Sequence, residues 1–332
     1  VILSHSHPLK IGIVGTGYAA QRRAETFQQD QRSQLCLVSG HTPETVKTFC
    51  QTYDISSRDS WPTLVKDKDI DLVAICSINQ DHGIIAQAAL EAGKHIILEY
   101  PLSLDVAQAK YLLSLANQKD KLLHVEHIEI LGALHQTIRH YLPELGTIFY
   151  GRYVTIAPQN PVPRRWTYHH QMFGFPFKAA LPRFHRFTDL FGEVKSITCH
   201  SRYWDTLEDG YYKASLCDAK LQFNQGLSVD IIYGKGEVFH QSDRTLELWG
   251  DQGKLIFEGD QGKLITKEGT KSIELGSRRG LFAQDTIMVL EHLFEGKPLY
   301  ISPKSSLYAL QVADAAEQSS RLGKTVFLNE YD

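Results

Sequence analysis

The sequence predicts an α/β protein in two parts: an N-terminal doubly wound parallel sheet, then an α+β domain with a large, mostly antiparallel, open-faced sheet. Three observations carry this reading. Short apolar strands alternate with helical stretches through about residue 130. A glycine-rich turn, Gly15-Thr16-Gly17-Tyr18-Ala19-Ala20, follows the first strand and opens the first helix. From Thr147 onward β-rich runs follow one another with turn signals between them. The boundary is placed between 1–130 and 131–332, and the last helix is expected to pack back on the first domain.

Lys10–Val14 (KIGIV) is the first strand, and Gln21–Gln29 continues the helix that the glycines open. Leu35–Val38 is the second strand. Thr42 then stands as an N-cap before Pro43, with Glu44 in the first turn. Asp71–Cys76 (DLVAIC) reads as a buried strand, and Ile84–Ala92 as a helix closed by Gly93. His95–Leu98 is a strand that delivers Glu99-Tyr100-Pro101 at its carboxyl end. Val106, Ala109, Leu113 and Ala116 share one helical face, and Leu122–Val125 is one more strand. In the second half, strands are expected at Ile148–Ile156, Ser196–Trp204, Ala214–Phe223, Leu227–Tyr233, Thr245–Trp249, Lys254–Phe257 and Lys263–Thr266. Asn224-Gln225-Gly226, Asp251-Gln252-Gly253 and Asp260-Gln261-Gly262 punctuate them. Helices are expected at Leu181–Phe191, Ala283–Glu295 and Lys304–Leu322.

Composition bounds the function. The 332 residues are 42% hydrophobic and 22% charged, ordinary for a globular chain that buries its own core. A net charge of −3 argues against general binding of nucleic acid or an anionic membrane. Ile70–Ile78 is far too short to span a bilayer. The opening VILSHSHPLK lacks the layout of a signal peptide. The five cysteines are scattered and form no CxxC pair, which fits a reduced, cytoplasmic compartment.

Strand, glycine turn and helix together predict a dinucleotide site of the Rossmann type. The first glycine permits the tight turn, and the second lets a pyrophosphate approach the backbone. Ala20 lets helix and strand pack closely, and the helix N-terminus attracts the anion. The second strand ends Val38-Ser39-Gly40-His41-Thr42, with no carboxylate before Glu44. A carboxylate there would bind the ribose hydroxyls of NAD and repel a 2′-phosphate. Ser39, His41 and Thr42 can donate hydrogen bonds instead, which favours NADP. NADH remains a weaker alternative, and no arginine follows this strand. Ser39, His41 and Thr42 serve equally well as a strand end and a helix cap.

Asn79-Gln80-Asp81-His82 and the run Ala92-Gly93-Lys94-His95-Ile96-Ile97-Leu98-Glu99-Tyr100-Pro101 resemble the glucose-fructose oxidoreductase / inositol dehydrogenase (Gfo/Idh/MocA) family. The family's usual motif is Glu-Lys-Pro, whose lysine assists proton transfer at a substrate hydroxyl. Here Tyr100 replaces it. Loss of a general base costs roughly 10²–10⁴-fold in the oxidation of a polyol. A substrate with no reacting hydroxyl does not need the lysine.

Glu-Tyr-Pro resembles the biliverdin reductase branch of the family. So do Leu123–Leu131, Gly174-Phe175-Pro176, Leu181-Pro182-Arg183 and Leu190-Phe191-Gly192-Glu193. Asn160–Arg165, Trp166–His170 and 276–282 are similar to its cyanobacterial members. The resemblance implies hydride transfer from NADPH to the central methine carbon of biliverdin and protonation of a pyrrole nitrogen, giving bilirubin. It implies further cofactor contacts from Ser77, Ile78, Asn79, His82, Glu99, Tyr100, Glu126 and His127. Arg183 is expected to stabilise developing charge or to grip a propionate. Tyr100 is expected to stack on a ring or donate a proton. Glu129, Arg186, Trp166, His169 and His170 are placed around the substrate, with an inter-domain ion pair an equal reading for Arg186 and a basic surface loop for the histidines. His124, Glu126, His127 and Glu129 invite a metal reading, but alternation along a strand sends neighbours to opposite faces. No metal is expected. Two other functions stay open: a sugar or polyol oxidoreductase, and a dinucleotide-binding regulator without catalysis. The open-faced sheet can pair with a second subunit or receive a flat ligand.

Overall fold

The computed structural model describes residues 7–277 and 279–330. The first six residues of the VILSHSHPLK segment, and Arg278 in the 276–282 segment, lie outside the described residues. The chain divides into two compact units. One runs through Ile128 and takes up Arg279–Leu307, and the other begins at Glu129 and closes with the segment from Tyr308.

In the first unit strands and helices alternate: β1 (Leu9–Val14), α1 (Tyr18–Gln29), β2 (Ser33–Ser39), α2 (Pro43–Tyr53), β3 (Ser56–Ser57), α3 (Trp61–Val65), β4 (Leu72–Ile75), α4 (Asn79–Glu91), β5 (His95–Leu98), α5 (Val106–Gln118) and β6 (Leu123–Val125). The sheet is wholly parallel, in the order β3-β2-β1-β4-β5-β6. Every residue of β4 and β5 is buried, as expected where helices cover both faces. The order reverses between β1 and β4, the switch point outside whose carboxyl ends open α/β sheets bind their ligands. Helix α4 starts five residues earlier than the apolar pattern suggests, so His82 falls in its first turn. Gly83 hides this start from the pattern. A Cβ there would lie 1.9 Å from the end of the Gln108 side chain, which occupies the space that glycine leaves between α4 and α5.

The second unit holds α6 (Ala133–Tyr141), β7 (Ile148–Pro158), α7 (His170–Phe173), α8 (Pro176–Ala179), α9 (Pro182–Phe191), β8 (Val194–Trp204), β9 (Ala214–Phe223), β10 (Ser228–Gly236), β11 (Asp243–Gly250), β12 (Gly253–Glu258), β13 (Gln261–Thr266) and β14 (Gly269–Glu274). With β15 (Val326–Phe327) these strands make a nine-stranded sheet, ordered β14-β13-β12-β11-β7-β10-β9-β8-β15. All pairs are antiparallel except β7 with β10. Helix α9 lies on one face of this sheet. Phe187 meets Tyr153 there at 6.3 Å between ring centroids, and Gly151 leaves room for the Phe187 ring.

Two helices follow the sheet, α10 (Leu281–Glu295) and α11 (Pro303–Leu322). The start of α11, through Leu307, groups with the first unit, where Ser306 meets His127 Nε2 at 2.8 Å. Helix α10 belongs to that unit throughout, burying Val289, Leu290, Leu293 and Phe294 against Leu9, Ala24 and Phe27. From Tyr308 onward α11 groups with the second unit, where the Ser319 hydroxyl accepts from the Cys199 amide and Lys178 pairs with Asp314 and Glu317. Among the described residues no helix is long and apolar enough to cross a membrane. All five cysteines are free thiols.

A buried ion-pair network fastens α10 in the first unit. Arg23 of α1 donates from Nε to Glu99 Oε1 and from Nη1 to Asp285 Oδ2, each at 2.7 Å. The second oxygen of Asp285 accepts from His124 Nε2 and from the Tyr300 hydroxyl, both at 2.7 Å. Burial would raise the Asp285 carboxyl, but His124 and Arg23 hold it well below the usual range. Asp285→Asn keeps the shape and leaves Arg23 short of a counter-charge. It should destabilise the protein by about 3–5 kcal/mol in urea unfolding. An unchanged midpoint would show that α10 is held by its apolar face alone.

Candidate active site

The glycine loop has the geometry of an anion cradle. Gly15 sits at φ +111, and a Cβ there would lie 2.3 Å from the Cys76 carbonyl oxygen. Its amide donates to the Ser39 carbonyl at 2.7 Å, which ties the loop to the end of β2. Gly17 caps α1, and a Cβ added to it meets nothing within 4 Å. The first-turn amides of α1 therefore face open space, the arrangement that receives a pyrophosphate. Ala20 is fully buried in the core, whereas Tyr18 is largely exposed and sets its ring edge-on to Phe282. Thr16 shares a hydrogen bond with Thr45 at 2.9 Å. Of the three residues expected at the ribose, His41 and Thr42 are exposed and Ser39 is buried.

At the carboxyl ends of β4 and β5 the next group of expected residues comes together. Ser77 and Ile78 are half-buried, and Asn79 opens α4. His82 is buried with Nδ1 2.8 Å from the Pro101 carbonyl and Nε2 3.2 Å from that of Ser77, so it ties the Tyr100-Pro101 turn to the β4 end. Burial pushes its pKa down, outweighing both carbonyls. Tyr100 is half-buried and its ring stacks on His127, with centroids 6.0 Å apart.

Glu126 and His127 lie just beyond β6, and both face the interior. Glu126 accepts from the Ile128 amide at 2.5 Å. Burial and the negative charges of Glu99 and Asp285 push its carboxyl well up, toward the protonated form. His127 is fixed by Ser306 at Nε2 and by Tyr300 at its amide. His127, so fixed, backs the Tyr100 ring. Asp285, Tyr300 and Ser306 arrive from the distant 279–307 segment, and no local pattern marks them.

In the second unit Arg183 stands in the first turn of α9, its guanidinium 4.8 Å from the Tyr233 ring centroid. Tyr233 and Lys235 project to the same face of β10. Lys235 is buried; it donates to the Thr167 carbonyl and lies 3.5 Å from the Phe173 centroid and 4.6 Å from that of Tyr168. Burial, reinforced by the charge of Arg183, lowers it to about 7. A cavity lined by Glu129, Tyr153, Thr155, Arg183 and Arg244 adjoins this surface. Lys235 and Arg244 had no sequence argument to select them, although a lysine inside an otherwise apolar strand is a signal.

The remaining expected substrate residues are engaged within this unit. Arg186 is buried and pairs with Glu129, the first residue of the second unit, at 3.3 Å. His169 is not a surface-loop histidine: it is buried, and its Nδ1 accepts from the Gln171 and Met172 amides as the cap of α7. His170 packs between Tyr203 and Tyr212. Trp166 is half-buried against Phe173 at 5.9 Å, and Arg164 pairs with Asp209 over the Tyr211 ring. His124, Glu126 and Glu129 do not converge on a common point; each holds a different partner.

A parallel sheet with an open glycine loop at its switch point, followed by a broad sheet domain, defines a nucleotide-dependent oxidoreductase. The chain belongs to the Gfo/Idh/MocA oxidoreductase family. Its NAD-binding Rossmann fold matches residues 9–127, and its C-terminal alpha/beta domain matches 143–328. Biliverdin reductase from Synechocystis sp. PCC 6803, solved in complex with biliverdin and NADP+, is 55% identical with a TM-score of 0.93 over 94% of this chain and 99% of that one. Human biliverdin reductase A is 26% identical over 62% of this chain, and the match spans 65% of the human protein's length. Myo-inositol 2-dehydrogenase of Thermotoga maritima is 20% identical over 97% of this chain and 99% of its own.

The Lys235 ammonium has a measurable consequence. Its folded pKa lies below the value of about 10.4 for a free lysine. Between about pH 7 and that value the unfolded chain binds the extra proton, so stability rises with pH across this window. Urea midpoints measured from pH 7 to 9 should climb in the wild type and lose that increment in Lys235→Met. Parallel profiles for the two proteins would place Lys235 in solvent.

Proposed function

We propose that this chain is an NADPH-dependent biliverdin reductase of a reduced, cytoplasmic compartment. The observation that carries the reading is the 55% identity, across 94% of the chain, to a biliverdin reductase solved with biliverdin and NADP+. NADPH supplies a hydride to the central methine carbon of biliverdin; a C–H bond forms there, a pyrrole nitrogen takes up a proton, and bilirubin and NADP+ result. The chain's residues divide the work. The α1 amides and Gly17 receive the pyrophosphate. Buried Arg23 holds Glu99, and His82 holds Pro101, so the turn carrying Tyr100 is set before any ligand arrives.

Tyr100 offers a ring and a hydroxyl where other family members offer a lysine. Bilin reduction has no hydroxyl proton to remove, so that lysine is dispensable. Arg183 supplies positive charge for the nitrogen system as hydride addition makes it electron-rich, or for a propionate. A guanidinium stays charged at every working pH, which suits orientation and electrostatics better than direct proton donation. Tyr233 beneath it and Lys235 beside it keep this charge on an aromatic surface fit for a flat tetrapyrrole.

Purified protein mixed with biliverdin and NADPH should turn from green to yellow. Arg183→Ala should cut turnover about 10²–10³-fold while NADPH binding, read from nicotinamide fluorescence, stays unchanged. Absence of reduction combined with oxidation of a polyol by NADP+ would move the chain to the sugar-acting members of the family. Dinucleotide binding with no turnover of either substrate would make it a regulator.

A further inference from the structure

We infer that Arg58, at the carboxyl end of β3, is the residue that distinguishes NADPH from NADH in this chain, by donating hydrogen bonds to the 2′-phosphate. The inference rests on the proposed use of NADPH and names the specificity element of that same site. The sheet order puts β3 beside β2, and the parallel register sets Leu37 against Ser56 and Val38 against Ser57. Arg58 therefore comes level with Ser39, the strand end where a ribose-binding carboxylate would otherwise stand. The Arg58 amide donates to the Val38 carbonyl at 2.9 Å, which fixes this alignment. The Ser39 carbonyl in turn accepts from Gly15, so the β2 end to which Arg58 is bonded is tied to the glycine loop.

The guanidinium is oriented but not used up. Its Nε and Nη2 both donate to Asp67 Oδ2, at 3.1 and 2.6 Å, and Nη1 donates to the Ser57 carbonyl at 3.3 Å. Five N–H groups are available, so donors remain on the two terminal nitrogens. Asp67 is itself anchored, because its Oδ1 accepts from the Asp69 amide at 3.0 Å. Its carbonyl also accepts from Lys94 Nζ at 2.7 Å, so it holds the fork in one place. The side chain of Arg58 is 37% exposed, and beside it Pro62, Thr63 and Lys66 line a surface depression of about 390 Å³. Lys66 adds a second positive charge, while Asp67 and the exposed Asp59 are the negative groups nearby in the chain. A fixed guanidinium with spare N–H groups suits a phosphate dianion. Nothing in the linear order announces it: Arg58 comes 19 residues after Ser39, beyond an intervening helix, on a strand of two residues.

The test needs no bilin. The full chain is titrated with NADPH and with NADH, followed by nicotinamide fluorescence, and bound NADPH is displaced with 2′,5′-ADP or 5′-AMP. The wild type should prefer NADPH, and 2′,5′-ADP should compete better than 5′-AMP. Arg58→Ala should weaken NADPH and 2′,5′-ADP about 10- to 100-fold and leave NADH and 5′-AMP within about twofold. Asp67→Asn, which keeps the arginine, should retain the preference for NADPH. Equal weakening of both dinucleotides by Arg58→Ala, or an unchanged preference, overturns the inference. A wild type that binds both dinucleotides equally overturns it while leaving the proposed reductase standing. A wild type that binds neither overturns both.

Discussion

Buried Arg23 is the constraint on which the first unit's site depends. Its side chain is wholly inaccessible, and removing a guanidinium from water is costly unless counter-charges and hydrogen bonds replace the lost hydration. Glu99 and Asp285 supply them, and the Phe282 ring lies 5.6 Å from the guanidinium carbon. Burial alone would lower the arginine's pKa; the two carboxylates more than reverse this and raise it. The three partners come from the helix behind the glycine loop, the end of β5 and the returning α10. Moving any one of them strands a charge. The glycine loop and the Tyr100 turn are therefore held in mutual register by electrostatics that water does not screen.

That arrangement explains the state of the carboxylates around it. Two ionised groups, Glu99 and Asp285, already face the one arginine, so a third negative charge in the same dry volume has no cation left to balance it. Glu126 is that third carboxyl, and it is pushed toward its neutral form. His124, by contrast, donates to an oxygen of Asp285 and extends the network to β6. The site is thus backed by a buried, hydrogen-bonded network, and the Tyr100 ring and its neighbours at the strand ends remain half-exposed.

Much of this was legible in the sequence because it is local. The glycine turn, the apolar strands β4 and β5 and the missing carboxylate after Val38 each occupy a few consecutive residues whose chemistry dictates their backbone. What escaped was brought together by pairing over long separations. Asp285 lies 262 residues beyond Arg23 and returns on α10, where nothing in its neighbourhood distinguishes it from a surface acid on an amphipathic helix. Arg58 depends on a strand too short to show any alternation. His169 reads in sequence as a substrate contact or a basic surface loop, whereas its role as a helix cap depends on the backbone of Gln171 and Met172.

The second unit shows how one substitution in the first can be matched to a different chemistry. A lysine in the Glu-Lys-Pro position serves a reaction that begins by removing a hydroxyl proton. With tyrosine there, that demand has gone, and what a conjugated, dianionic tetrapyrrole requires is flat apolar area with positive charge at chosen points. On the proposed reading, the α9-covered face of the sheet is where these features meet: Tyr233 lies under Arg183, and Phe173 and Tyr168 surround Lys235. Burial, with the charge of Arg183 added to it, lowers the Lys235 ammonium, which can lose its proton where a guanidinium cannot. Arg183 therefore keeps its charge whatever its neighbour does, the property that its proposed role as a stabiliser of developing negative charge needs.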